Sequence, residues 1–331
     1  MLAAVRGLVL VLLVLAPFGP AFAQDKAPDA KGFPARTIHI VVPFPPGGPA
    51  DMVARVIAQK MSEDWNQTVI VDNKPGANTV LAAQFVARAP ADGYTLLIAI
   101  DSTLSMNPYL YKSLPYDPFT DFAPISLTTQ SMSVLAVRAS DGPKSVKELV
   151  AKAKAAPGKL NYGGGTLTPQ LMGYVFNKAA GIDVQYVPYR GTPATVQGLL
   201  TGSVDMVYGA TAIVLPLVEG GKVRALAKLD SRSPPAVKGI PTLREAAGLA
   251  EFDDLSVWLG LVAPKGTPKP IVAKLHLEVL HIMNDPAIKE KFDRTGNYIH
   301  TSTSPDEFAA FIRTEAKRWS KVLKETGIHY D

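Results

Sequence analysis

The chain has 331 residues, 47% of them hydrophobic, with 34 Lys and Arg against 29 Asp and Glu and no cysteine. The missing cysteines exclude a disulfide framework, thiolate catalysis and cysteine-based zinc sites. The formal charge of +5 is carried by scattered residues, which speaks against a nucleic-acid footprint and is compatible with an anionic small ligand.

The N-terminus reads as a secretory signal peptide, residues 1–23. Arg6 is the positive end, Leu8 to Ala16 is an unbroken apolar run, Gly19-Pro20 breaks it, and Ala21-Phe22-Ala23 offers small residues to a signal peptidase. The run is short of the roughly 20 apolar residues a membrane-spanning helix needs. Residues 24–33 are a polar leader. A mature chain of about 300 residues suggests two domains.

From Thr37 to Val42 the sequence is a β-branched strand, ended by Pro43 to Pro49. From Asp51 the apolar residues Met52, Val53, Val56, Ile57, Met61 and Trp65 fall on one helical face. The alternation continues: strand at 69–71, helix at 79–89, strands at 95–100 and 133–137, helix at 146–155, strand at 160–162, helix at 169–180, strand at 184–187, helix at 192–200, strand at 204–208. Repeated units of this kind predict an α/β fold with parallel sheets covered by helices on both faces. The apolar run 257–263 precedes a largely helical C-terminus, with a helix from Pro268 to Met283 and another opened by Ser304-Pro305-Asp306-Glu307, a capping-box pattern. Two stretches are placed to carry the chain between domains, 123–127 and 251–255. The expected division is therefore a discontinuous first domain, 34–127 plus 253–331, and a second, 128–252.

Functional signal concentrates in loops that follow a strand and open a helix. Three are glycine-rich: Pro45 to Asp51, Gly163 to Thr168, and Tyr189 to Pro193. A fourth, Asp101 to Ser105, carries hydroxyls instead. The first turn of a helix has N–H groups without an intrahelical partner, and the peptide dipoles add positive potential there. Glycine lets a ligand approach that backbone, so a carboxylate is well placed at such ends. Any one loop is equally readable as an ordinary turn; their number favours binding. Arg190 is suited either to clamp a carboxylate or to pair with surface acids. Phe44, Tyr189, Tyr208 and Trp258 are either cleft walls or core.

Enzyme signatures are weak. His276 and His281 are five apart and do not share a helical face as H-E-x-x-H ligands do. There is no G-x-S-x-G elbow and no phosphate-binding P-loop. Adjacent Asp253 and Asp254 read as solvated loop acids.

From Pro34 onward the chain resembles the substrate-binding receptors of tripartite tricarboxylate transporters, the Bug family. The matching stretches run in order: FPARTIHIVVPFPPGGPAD, VDNKPGAN, ADGYTLL, NPYLYKSLPYDPFTDFAPIS, PGKLNYGGGT, VPYRGTPATVQGLLTGSVD, GKVRALA, VWLGLVAPKGTP and STSPDEFAAFI. The resemblance implies a type II periplasmic binding-protein fold: two α/β domains, a ligand cleft between them and two crossing strands. It implies a monomeric periplasmic protein that binds a small organic carboxylate without catalysis, cofactor or metal. The implied partners are one large and one small integral membrane subunit of a transporter, and not nucleic acid. Carried onto this chain, the ligand-binding residues are Pro45, Gly47 and Gly48; Ser102 and Thr103; Gly165, Thr166 and Thr168; and Arg190, Gly191 and Thr192. Phe44 and Tyr208 join them as walls, with Gly209 after Tyr208 as the fourteenth candidate.

This sequence departs from the family pattern in places. Gly209 follows Tyr208 where an Asp is usual, which argues against a ligand with an ammonium group. Leu167, Met172 and Tyr174 replace more polar or smaller residues. The expected ligand is a dicarboxylate with an apolar middle, aliphatic or aromatic. A sensor receptor presenting its ligand to a signalling partner is the alternative. An exported carboxylate-processing enzyme is a weaker one, since no nucleophile–base pair is visible.

Overall fold

The computed structural model describes residues 30–231, 235–249, 256–295 and 297–330. The signal peptide, the leader up to residue 29, the second crossing stretch and Asp253-Asp254 lie outside the described residues.

Two mixed sheets organise the chain. The first has β1 (Ile38–Val42), β2 (Val69–Asn73), β3 (Thr95–Ile100), β4 (Phe122–Ser131), β10 (Val257–Pro264) and β11 (Asn297–Ile299), in the order β11-β4-β10-β3-β1-β2. The second has β5 (Ser133–Arg138), β6 (Leu160–Gly164), β7 (Val184–Pro188), β8 (Met206–Ala210) and β9 (Val223–Lys228), in the order β7-β6-β8-β5-β9. The helices are α1 (Pro49–Trp65), α2 (Val80–Ala87), α3 (Val146–Ala155), α4 (Leu167–Ala180), α5 (Thr192–Thr201), α6 (Thr211–Glu219), α7 (Leu243–Ala247), α8 (Lys269–Asn284), α9 (Pro286–Asp293) and α10 (Pro305–Thr326).

The sheets are not purely parallel. β1 pairs β2 and β3 in parallel, and β6 pairs β7 and β8 in parallel. The strands that pass between lobes run the other way: β10 is antiparallel to β3 and β4, and β5 is antiparallel to β8 and β9. The reason is connectivity. β4 leaves the first sheet at Ser131, and after the single buried residue Met132 the chain enters β5 of the second. That strand is not delivered by a helical crossover, so nothing forces parallel pairing.

Each sheet is covered on both faces, as a strand period of two requires. Ile38, Ile40 and Val42 face Val53, Ile57 and Met61 of α1 and Leu275 and Val279 of α8. Val41, Leu97 and Ala99 face α2 and the start of α10. In the second lobe Leu135, Val137 and Tyr162 pack on α3 and α4, while Val134, Ala136 and Val207 pack on α5. Helix α10 contributes to both lobes: Phe308 and Ile312 join the first core, and Trp319 and Leu323 the second. Its start follows the capping-box expectation in part. Ser304 Oγ accepts from the Glu307 N–H at 3.1 Å, but the Glu307 carboxylate reaches the N–H and hydroxyl of Thr303, not of Ser304.

Candidate functional site

A cleft of about 210 Å³ lies where strand ends of the two sheets face one another. Ser131 and Ser133 of the crossing strand line it, together with Ile100, Val257 and Leu259 of the first sheet and Tyr208 and Ala210 of the second. Phe44, Pro45, Pro46, Gly48, Pro49 and Ala50 close it from the first lobe. Thr166, Pro169 and the segment Arg190 to Ala194 close it from the second. Its walls are mostly apolar.

The polar character comes from the backbone. Helices α1, α4, α5 and α6 start at Gly48, Thr166, Gly191 and Ala210, and all four of these residues line the cleft. None of the four starts receives a side-chain cap. Of the helices that start elsewhere, α3, α7, α9 and α10 are capped by Ser145, Thr242, Asp285 and Ser304, while α2 and α8 lack a side-chain cap. An uncapped start carries N–H donors and positive dipole potential with no side-chain acceptor; at α6 the first of these donors, the Thr211 N–H, is already taken by the Met132 carbonyl at 3.0 Å. Four of them converge on one cleft and give it positive potential suited to an anion. Arg190 adds a guanidinium that has neither hydrogen bond nor ion pair among the described residues, and no Asp or Glu is among the described residues that line the cleft.

Glycine is needed at two points here. Gly47 sits at φ +89°, and its N–H turns inward to donate to the Asp51 carboxylate at 3.0 Å. Asp51, in the first turn of α1, also accepts from Arg55 and Asn73. Burial pushes the Asp51 carboxyl up, but these bonds outweigh it and hold it below its ordinary value. At Gly165 a Cβ would lie 2.2 Å from the Gly191 carbonyl carbon, and the Gly191 N–H donates to the Gly165 carbonyl at 3.0 Å. The two glycine loops of the second lobe therefore touch backbone to backbone, which fixes the starts of α4 and α5 relative to each other.

Of the fourteen residues nominated from the sequence, Phe44, Pro45, Gly48, Thr166, Arg190, Gly191, Thr192 and Tyr208 meet at this cleft. Gly165 lines a second cavity beside it. The others are set back. The Gly47 N–H is committed to Asp51. Gly209 lies within β8 against Val214. Ser102 and Thr103 are fully buried in a π-helical turn, Ser102–Met106, where the Thr103 hydroxyl donates to Thr79 at 2.9 Å. Thr168 is also fully buried and donates to the Asp101 carboxylate at 2.6 Å, tying α4 of one lobe to the end of β3 in the other. Burial raises the Asp101 carboxyl to about 7, against the lowering effect of the Thr168 and Ser102 N–H bonds. Trp258 is core, packed edge-on to Phe308 and Phe311.

Ser131, Ser133, Ile100, Leu259 and Ala210 were not nominated from the sequence. They lie inside or at the ends of strands, where period-two reading assigns every residue to packing. The available signal was the pair of hydroxyls flanking Met132 in an otherwise apolar crossing.

Three comparisons bear on this geometry. Residues 53–328 match the family model described as the tripartite tricarboxylate transporter family receptor. A UPF0065 protein in the tcbD–tcbE intergenic region of a Pseudomonas species is 36% identical over 307 residues, covering 92% of this chain and 90% of its own. Among solved structures, an R. palustris protein with adipate superposes with a TM-score of 0.85 at 33% identity, covering 90% of this chain and 99% of its own. MatC from Rhodopseudomonas palustris with bound malate superposes with a TM-score of 0.81 at 33% identity, covering 88% of this chain and all of its own.

Proposed function

Because the chain belongs to the tripartite tricarboxylate transporter receptor family, a family of periplasmic solute-binding receptors and not of enzymes, we propose that it captures a small dicarboxylate and delivers it to a tripartite membrane transporter. The observation that carries this reading is the convergence on a mostly apolar cleft of four helix starts without side-chain caps and of Arg190, which is unpaired among the described residues. Donors of that kind take a carboxylate, and the apolar walls take the carbon chain. Relatives solved with adipate and with malate support a diacid. No helix of the described residues is long and apolar enough to cross a membrane. Export through a signal peptide cleaved after Ala23, a monomeric receptor, and one large and one small membrane subunit as partners complete the proposal. The moving bodies in it are 34–127 with 253–331, and 128–252.

Gly48→Val tests the reading. Gly48 adopts φ −85°, which valine accepts, and a Cβ there would meet nothing within 4 Å. The added methyls project into space that the ligand needs. Calorimetric titration with adipate and malate should show binding to the wild type and a loss of at least about a hundredfold in the variant, with an unchanged melting temperature. Full affinity in the folded variant removes the α1 start from the site. No affinity of the wild type for any organic acid sinks the reading as a whole.

A further inference from the structure

One buried carboxyl has no part in the carboxylate site. Asp101 follows β3, is fully buried, and stands next to Ile100, which lines the cleft. Its Oδ1 accepts from the Ser102 N–H and its Oδ2 from the Thr168 hydroxyl, both at 2.6 Å. Thr168 in turn lies between Thr166 and Pro169, which line the cleft from the second lobe. The carboxyl is thus bonded across the lobe boundary, directly behind the cleft wall. It has no ion pair among the described residues.

No compensating charge is built around it. Strands β3 and β10, the turn Ser102–Met106 and the first turn of α4 carry no Asp, Glu, Lys, Arg or His. The charged group that bears on Asp101 is Glu315 of α10, which pushes its carboxyl up and is itself paired with Arg318 at 3.5 Å. Burial is the larger cause, and together they hold the carboxyl at about 7. Arg190, the cation of the cleft, stands on the loop before α5 and makes no bond to Asp101. The Ser102 hydroxyl, one residue on, is buried with no hydrogen-bond partner among the described residues, so a neighbouring group is left to accept an acid proton.

We infer that Asp101 couples ligand capture to proton uptake: an anion entering the cleft drives this carboxylate to take a proton from solvent, and the protonated receptor is the one that binds tightly. This rests on the carboxylate-receptor reading and adds a proton to it. Two like charges roughly 8 Å apart, at an effective dielectric constant of about 20, shift an equilibrium by on the order of tenfold. A diacid one peptide unit beyond Asp101 therefore favours its neutral form. Well below pH 7 the carboxyl is protonated with or without ligand, and no proton moves. As pH rises through 7 the free receptor ionises, so binding must bring a proton with it and affinity falls.

The test is calorimetric titration of the full mature protein with adipate and with malate, between about pH 6 and 8.5, in buffers of different ionisation enthalpy. The comparison of buffers counts the protons taken up. The wild type should take up about half a proton per ligand near pH 7 to 8, and its dissociation constant should rise roughly tenfold across the range. Asp101→Asn keeps an acceptor for Thr168 but cannot titrate. It should take up no such proton and hold the low-pH affinity of the wild type throughout. Glu278 of α8 is also raised to about 7, chiefly by burial, but lines neither the cleft nor the cavity beside it and is the same in both proteins. Melting curves show whether the variant is folded. A reading that needs no variant is the infrared band of a protonated carboxyl, which should grow when adipate is added to the wild type at about pH 7.5. Equal proton uptake by wild type and folded variant overturns the coupling, as does a wild type with pH-independent affinity or an unchanged carboxyl band. Each of these leaves the carboxylate site standing, whereas a wild type that binds no organic acid at any pH refutes the receptor reading itself.

Discussion

Thr166 and Thr168 stand two positions apart and do different work. Thr166 is the uncapped start of α4 and lines the cleft; Thr168 is buried within the first turn and is hydrogen-bonded to Asp101. Thr166→Ala should weaken diacid binding by about 1 kcal/mol, the net worth of one hydrogen bond, and leave the melting temperature alone. Thr168→Ala should lower the melting temperature, because it strips a buried carboxyl of a donor, at a cost of about 1–3 kcal/mol. Calorimetric titration and thermal melts of the two single variants decide it; equal effects on both readouts would refute the division of labour. The sequence nominates the two threonines together because a hydroxyl in a loop before a helix looks the same whether it faces ligand or core. Which way it faces depends on how the lobes oppose each other, and no local pattern carries that. The same holds for Ser102 and Thr103, whose loop closes into a buried π-helical turn. Arg190 and the glycine pair Gly48 and Gly191 were legible because charge and absent side chains act at short range.

At the scale of elements, the end of β3 sets a pH dependence. Asp101 is fully buried, and its carboxyl is raised to about 7 by that burial. The unfolded chain loses this proton near pH 3.9. Between roughly pH 4 and 7 the native state thus holds a proton that the unfolded state has released, so this group makes stability fall as pH rises through that window and stay low above it. Asp101→Asn keeps a neutral amide in place of the protonated acid. It should leave the melting temperature near pH 4 little changed and raise it by a few degrees at pH 8. Melts of both proteins across that range measure this, and parallel curves would show that the Asp101 carboxyl is not raised in the native state, since it would then release its proton at the same pH folded and unfolded. Element boundaries were uneven in their legibility. Strand β3 and helix α3 fall where periodicity predicts them, since apolar spacing and flanking turn residues agree. Strand β8 begins at Met206, two residues later than Val204, because the apolar run does not mark where pairing begins. Helix α6, absent from the elements predicted from the sequence, has Pro216 inside it, a residue that ordinarily interrupts a helix. The antiparallel pairing of β5 and β10 was hidden, since strand direction within a sheet is a property of connectivity.

The molecule as a whole is held by more than its crossing strands. Helix α10 enters the first core with Phe308 and Ile312 and the second with Trp319 and Leu323. Near its end the Glu325 carbonyl accepts from the Tyr174 hydroxyl at 2.8 Å, and the Glu325 carboxylate pairs with Lys178 at 3.0 Å, both on α4. Opening and closing of the lobes, if they move as proposed, must therefore work against a helix anchored on both sides. Such a tether should also make unfolding cooperative, because neither core can lose its share of α10 without exposing apolar surface in the other. Trp319 is 1% exposed, so Trp319→Ala empties a large volume from the second core, at a cost of about 3–5 kcal/mol. The first core keeps Phe308 and Ile312 and loses nothing directly. Scanning calorimetry should accordingly resolve the single wild-type transition into two in the variant, the earlier one belonging to the second lobe. A saturating diacid, bridging the lobes as proposed, should by mass action draw the two steps back together. One transition displaced downward as a unit would assign the cooperativity to the β4–β5 crossing and to the segment of Met106 and Leu110, which also reaches the second core, and would leave α10 no part in coupling the lobes.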